Sequence, residues 1–211
     1  MAFRGWPVEA LEFFEGLQAE NSKSYWQANK TVYESSVLKP MKELLAELAQ
    51  RWGEGRIFRP YRDVRFSADK SPYKTNIAAT IGGGYIQLDA EGLGVGAGMW
   101  EMAPDQLARY REAVDAAGSG AKLVRIVAKA RAEGLDIASH GELKTAPKGY
   151  PKDHPRIELL RYKGIIAWQQ WPAASWLGTA KAKDRIVTCL KLSAPLMKWL
   201  EANVGDSTAQ E

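Results

Sequence analysis

The stretch "GLGVGAGM", residues 92–99, sets a glycine at every second position: Gly92, Gly94, Gly96 and Gly98. In an extended chain successive side chains point to opposite faces, so this spacing makes a strand with one face bare of side chains. Glycine inside a strand is costly, and it marks close approach of backbone, a ligand or a large ring. The fold must therefore supply something that lies flat against this strand. The chain holds eight tryptophans, three of them (Trp168, Trp171, Trp176) in "AWQQWPAASW". The expected cover is an aromatic ring, and a substrate lying in the groove is the second reading.

The segments around the strand fix the fold class. After Pro7, the apolar residues Val8, Leu11, Phe14 and Leu17 recur at helical spacing. Asn21 or Ser22 is placed to cap a second helix containing Tyr25, Trp26 and Tyr33. A third runs from about residue 38 through Met41, Leu44 and Leu48 to Trp52, stopped by Gly53. The period then changes: "RDVRFSA" alternates weakly, "TNIAATI" is rich in strand formers, and "YIQLDAEGLGVGAGMW" reads as two antiparallel strands about a turn at 89–92. Two helices follow, one opening on Pro104 and ending at Gly118, the other from Ser119 to Gly134. "LDIAS" is a short strand, "DHPRIELLRYKG" a short helix capped by Asp153, "GIIAWQQW" a strand, and 182–203 a last helix bent near Pro195. This order does not alternate as βαβα, which argues against a doubly wound parallel sheet. The expected class is α+β, a mainly antiparallel sheet packed against several helices, as one domain over 1–204 with a frayed tail at 205–211.

Charge is concentrated. The net charge is +4, yet residues 56–74 alone hold Arg56, Arg59, Arg62, Arg65, Lys70 and Lys74 against Asp63 and Asp69. Residues 144–163 hold Lys144, Lys148, Lys152, Arg156, Arg161 and Lys163 against Asp153 and Glu158. Each segment matches the excess of the whole molecule, which favours a focused anionic partner over coating by a polyanion. The single cysteine, Cys189, lies in an apolar helical context and implies a buried thiol in a reducing compartment. No stretch has the length of a membrane span, and "MAFRGWPVEALEFFE" lacks the apolar run of a secretory signal, so the expected location is the cytoplasm and no membrane partner is expected.

The segments "RPYRDVRFSADKSPYKTN", "GGGYIQLDAEGLGVGAGMW" and "LKTAPKGYPKDHPRIELLRYKG" resemble the hallmark segments of a largely bacterial family known as domain of unknown function 2461. The resemblance extends upstream to "FFEGLQAENSKSYWQANKTVYE" and so spans nearly the whole chain. It implies a single α+β domain. It brings no reaction and no catalytic residues with it, so the chemistry rests on this chain's own residues.

Candidate ligand-binding residues are Arg62, Arg65, Lys70, Tyr73, Lys74 and Lys163. If "RDVRF" is extended, Arg62 shares a face with Val64 and Phe66, and an arginine there needs a carboxylate or a ligand. The turn at Ser71 and Pro72 brings Lys70 and Lys74 around the strand end. Arginine's rigid fork suits phosphate or carboxylate, and lysine adds a point charge. The purely structural alternative pairs Asp63 and Asp69 with Arg65 and Lys70. An enzyme would use Asp63 or Asp69 as acid or base with arginines stabilising negative charge, and His154 is a further catalytic candidate. Two histidines and one cysteine give no zinc signature, and no cofactor is expected: "IGGGY" lacks the spacing of a phosphate-binding loop. Binding of single-stranded nucleic acid needs both basic segments in one stripe with exposed rings, and is not favoured. The leading expectation is a small phosphate- or carboxylate-bearing ligand in a cationic pocket.

Overall fold

Helices at both ends of the chain enclose a strand block in the order the periodicity predicts, and a computed structural model describes them over residues 2–65 and 67–208. The strands are β1 (Arg56–Ile57), β2 (Asn76–Ile81), β3 (Gly84–Asp89), β4 (Gly92–Met99), β5 (Asp136–Ala138) and β6 (Ile165–Pro172). They form one sheet in the order β1-β2-β3-β4-β6-β5, with β1–β2, β2–β3 and β5–β6 paired antiparallel. The α+β class is the one the sequence implies. The chain divides into two units, Met1–Val95 with Gln170–Thr188, and Gly96–Gln169 with Cys189–Glu211.

In the first unit, α1 (Val8–Ala19) follows Pro7, and α2 (Lys23–Val32) is capped by Ser22, whose Oγ accepts the Tyr25 N–H at 3.1 Å. A π-helical segment, Tyr33–Leu38, carries α2 directly into α3 (Lys39–Trp52), so that residues 23–52 run on without a break. Gly53, at φ 78°, ends α3 as the sequence predicts. Phe13, Phe14, Leu17, Trp26, Tyr33, Val37, Met41, Leu44 and Leu48 form the buried core of these helices. Gly82 and Gly83, at φ 54° and 75°, make the two-residue turn between β2 and β3. Asp89 Oδ1 accepts the N–H groups of Glu91 and Gly92 to turn β3 into β4.

The bare strand face is covered as its spacing demands. A methyl added at Gly96 would stand 2.6 Å from the Trp168 ring, so the aromatic cover exists there. At Gly92 and Gly98 the obstacle is the backbone of β6: positive φ (137° and 148°) would swing a Cβ to 2.2 Å from the carbonyls of Trp171 and Ile165. Protein, rather than an open groove, occupies these positions.

In the second unit, α4 (Pro104–Asp115) and α5 (Ala117–Ala132) part at the extended Ala116, two residues earlier than the glycines suggest. Gly118 and Gly120 lie inside α5 instead. Gly120 is needed there because a Cβ would meet the Val114 carbonyl at 2.1 Å. The short helix α6 (Ile157–Arg161) is not capped by Asp153: the Arg156 N–H bonds His154 Nδ1 at 3.0 Å. The long α7 (Lys181–Asn203) contains Pro195 and buries Cys189. Of the expected tail, Ser207 and Thr208 bond the Asp105 carboxylate, each at 2.8 Å, while residues 209–211 lie outside the described residues. Among the described residues, no helix is long and apolar enough to cross a membrane.

Candidate functional site

The basic run folds as a closed loop over 60–74, not as the strand its alternation suggests. Pro60 and Pro72 have no N–H, so each offers the loop only a carbonyl, and both carbonyls are used. The Arg62 N–H bonds the Pro72 carbonyl at 2.9 Å and the Lys74 N–H bonds the Pro60 carbonyl at 2.7 Å, flanking a bridge between Tyr61 and Tyr73. Beyond that bridge side chains take over the backbone: Asp63 Oδ1 accepts the Arg65 N–H, and Asp69 Oδ1 accepts the Ser71 N–H at 2.9 Å. Such local bonds compete with ladder pairing, which is why no strand forms. Phe66, the third member of the predicted apolar face, lies outside the described residues.

Tyr73 anchors the loop. Its ring is buried and stacks on Trp26 with centroids 4.4 Å apart and planes 5° from parallel. The Asn21 side chain engages its backbone like a neighbouring strand: Nδ2 donates to the Tyr73 carbonyl at 2.9 Å, and Oδ1 accepts the Tyr73 N–H at 3.1 Å. Burial, with a smaller contribution from Tyr61, raises the Tyr73 hydroxyl above its ordinary value. Tyr73 is thus a support of the loop, with its ring committed to Trp26.

The loop's cations are exposed or half-exposed, and several are paired. Arg62 Nη1 donates to Asp69 Oδ2; the two side chains are 31% and 55% exposed. The carboxylate that Arg62 meets is thus at the surface and not in the core. Arg65 grips Asp63 with Nε at 2.9 Å and Nη2 at 2.6 Å, the pairing the structural alternative expects. Lys70 does not pair with Asp69; its ammonium donates to the Val64 carbonyl at 3.0 Å. Lys74 lies 5.4 Å from the centre of the Phe58 ring. Arg59 is exposed and makes no hydrogen bond or ion pair among the described residues, though its charge acts on Asp63.

These contacts set the carboxyl chemistry. The Ser71 hydroxyl and N–H, followed by the Arg62 guanidinium, hold Asp69 well below the usual carboxylate range. The side chain and N–H of Arg65, with a smaller effect of Arg59, lower Asp63. Carboxyls held ionised in this way are poorly matched to proton transfer near neutral pH. His154 is buried with both ring nitrogens engaged: Nδ1 accepts the Arg156 N–H, so Nε2 carries the proton and faces Asp115 Oδ1 at 3.0 Å. That arrangement fixes a turn.

In the second basic segment the two arginines are structural, while Lys144, Lys148, Lys152 and Lys163 are exposed. The Arg156 guanidinium caps the end of α4, with Nε 2.6 Å from the Val114 carbonyl and Nη2 2.5 Å from that of Asp115. Arg161 donates to the Leu143 carbonyl and pairs with Glu142 at 3.3 Å. Lys163 uses its backbone, bonding the Gly141 carbonyl at 2.8 Å and accepting the Met102 N–H, and its side chain is exposed. Asn21 is the residue that sequence reasoning missed as a loop anchor. It stands in "AENSK", where helix capping accounted for the asparagine–serine pair, and nothing local signals that it reaches residue 73.

Comparison with known proteins agrees with the hallmark segments. The model of the family described as "Conserved hypothetical protein (DUF2461)" matches residues 9–199. No curated protein and no solved structure matches the chain.

Proposed function

The chain belongs to the DUF2461 family, and from that premise we propose that it binds a small phosphate- or carboxylate-bearing molecule at the cationic loop 60–74 and the adjoining Arg59. The observation that carries this reading is a fixed base under an exposed, net cationic tip. Two backbone bonds, the Asn21 clamp and the Trp26 stack hold the base, while Arg62, Arg65 and Lys70, together with the adjoining Arg59, outnumber Asp63 and Asp69. Exposed ion pairs contribute only about 0–1 kcal/mol, so an incoming anion can take Arg62 from Asp69 at little cost. A pre-shaped loop then loses little entropy on binding. The lowered carboxyls favour binding over acid–base catalysis. The single, buried thiol of Cys189 is consistent with a cytoplasmic setting.

The test is a titration of the ¹⁵N-labelled protein with inorganic phosphate and with citrate. Amide shifts confined to 59–74, weakened about tenfold in Arg62→Ala and in Arg59→Ala, are the expected result; tenfold corresponds to about 1.4 kcal/mol. Equal affinity in wild type and both variants, or shifts spread over every basic surface, overturns the proposal.

A further inference from the structure

A cleft of about 340 Å³ lies between α5 and the Lys191–Pro195 stretch of α7, in the second unit. It falls in the size range of small-molecule sites. Its chemistry is two-sided. Lys122, Arg125 and Lys129, at i, i+3 and i+7 on one face of α5, line it together with Lys191. Ile126, Ala130, Leu192 and Pro195 supply an apolar wall, and Glu133 is its one acidic lining residue. The neighbouring face of α5 is ordinary core, with Leu123 and Val127 buried.

The four cations make no side-chain hydrogen bond or ion pair among the described residues. Like charges one turn apart on a helix repel, and only Glu133, one turn beyond Lys129, stands against the four cations of this face. One step around α5, Arg131 is treated differently: it pairs with Glu158 at 2.5 Å. The unit thus pairs Arg131 with a carboxylate and leaves the cleft with four cations against Glu133. The helices are held by the Trp199 indole N–H donating to the Ser119 carbonyl at 2.9 Å.

We infer that this cleft is a second binding site, for a small organic anion with an apolar body, such as an acyl or aryl phosphate or carboxylate. The anionic group meets Lys122, Arg125, Lys129 and Lys191, and the body lies on Ile126, Ala130 and Leu192. Charge complementarity selects the anion, and the apolar wall distinguishes it from the inorganic ions that suffice for the loop at 60–74. The site stands independently of that loop.

Calorimetric titration of the full chain with octyl phosphate, inorganic phosphate and octanol tests the inference. Octyl phosphate should bind at least tenfold more tightly than either fragment. Arg125→Glu should weaken it at least tenfold and Lys191→Gln several-fold, with unchanged circular dichroism, because both residues are exposed. Arg62→Ala should remove only the weaker binding that inorganic phosphate also shows at the loop, and leave the tight octyl phosphate phase. Octyl phosphate binding no better than phosphate alone overturns the inference, as does loss in Arg62→Ala with retention in Arg125→Glu. If Arg125→Glu does not fold, retention of full affinity by Lys191→Gln and Lys129→Gln together overturns it.

Discussion

Replacing Asn21 with alanine should unfasten the basic loop. The substitution removes two hydrogen bonds, from Nδ2 to the Tyr73 carbonyl at 2.9 Å and from the Tyr73 N–H to Oδ1 at 3.1 Å. Each contributes about 0.5–1.5 kcal/mol net, and the Tyr73 groups are left half-buried without their partner, so a loss of about 2 kcal/mol is expected. The Trp26 stack and the cross-loop bonds from Arg62 and Lys74 remain, which keeps the loss from being larger. For a chain of this size that corresponds to a melting point lower by about 4–8 °C. Urea unfolding followed by tryptophan fluorescence measures the stability, and native-state hydrogen exchange reads the Tyr73 amide directly. That amide should lose protection while those of β2 and β3 keep theirs. Phosphate affinity at the loop should fall with it, although Asn21 carries no charge. A stability loss below about 0.5 kcal/mol with unchanged Tyr73 protection would refute the argument that Asn21 holds the loop.

Three further outcomes follow from other contacts. Gly96→Ala should destabilise the protein by about 1–3 kcal/mol, since its methyl would meet the Trp168 ring at 2.6 Å; chemical denaturation measures this, and a double-mutant cycle with Trp168→Leu should show strong coupling. Burial pushes the Cys189 thiol up to about 11. The folded state therefore keeps a proton that the unfolded chain gives up, and stability from this group is full below the ordinary thiol range and is lost as pH rises towards 11. Native protein should resist iodoacetamide at pH 8 and react on unfolding; rapid alkylation of the native state would contradict the burial. Asp69 should titrate below an ordinary aspartate by carboxyl NMR, and both Ser71→Ala and Arg62→Ala should move it back up. Its contribution to the loop is present above the ordinary aspartate range and is lost only as pH falls through the lowered value.

Local signals carried much of the architecture. Ser22 and Gly53 bound their helices where the sequence places them, and the glycine alternation correctly requires a ring against β4. The misses share a cause: they turn on partners distant in sequence or on competition among nearby acceptors. The basic run alternates weakly enough to pass for a strand, but Asp63 and Asp69 bind backbone N–H groups within two residues and divert the chain. Asp153 looks like a helix cap until His154 Nδ1 takes the N–H it would have used. The break between α4 and α5 precedes the glycines because Gly120 serves close packing against Val114 instead of ending a helix. The charge clusters at 56–74 and 144–163 were visible as composition, whereas the cations of the α5 cleft were not. Which cations end beside a carboxylate, as Arg62 does, and which end without one, as Lys122 and Arg125 do, depends on tertiary placement.

The π-helical turn at Tyr33–Leu38 makes the long N-terminal helix behave like two gears meshed out of phase. The buried residues Tyr33, Val37 and Met41 are spaced by four, and in an ideal α-helix each such step overshoots a full turn by about 40°. The wider turn absorbs the overshoot, so Leu44 and Leu48 still point inward. Removing one residue between 33 and 38 would restore an ordinary helix and, because the wider turn already absorbs the extra residue, would leave the phase of α3 nearly unchanged. A one-residue deletion inside Lys39–Trp52 would by contrast turn everything after it by about 100° and scramble the packing as thoroughly as a reading-frame error scrambles a message, so the π turn is the one stretch of this helix where a residue can be lost without loss of meaning.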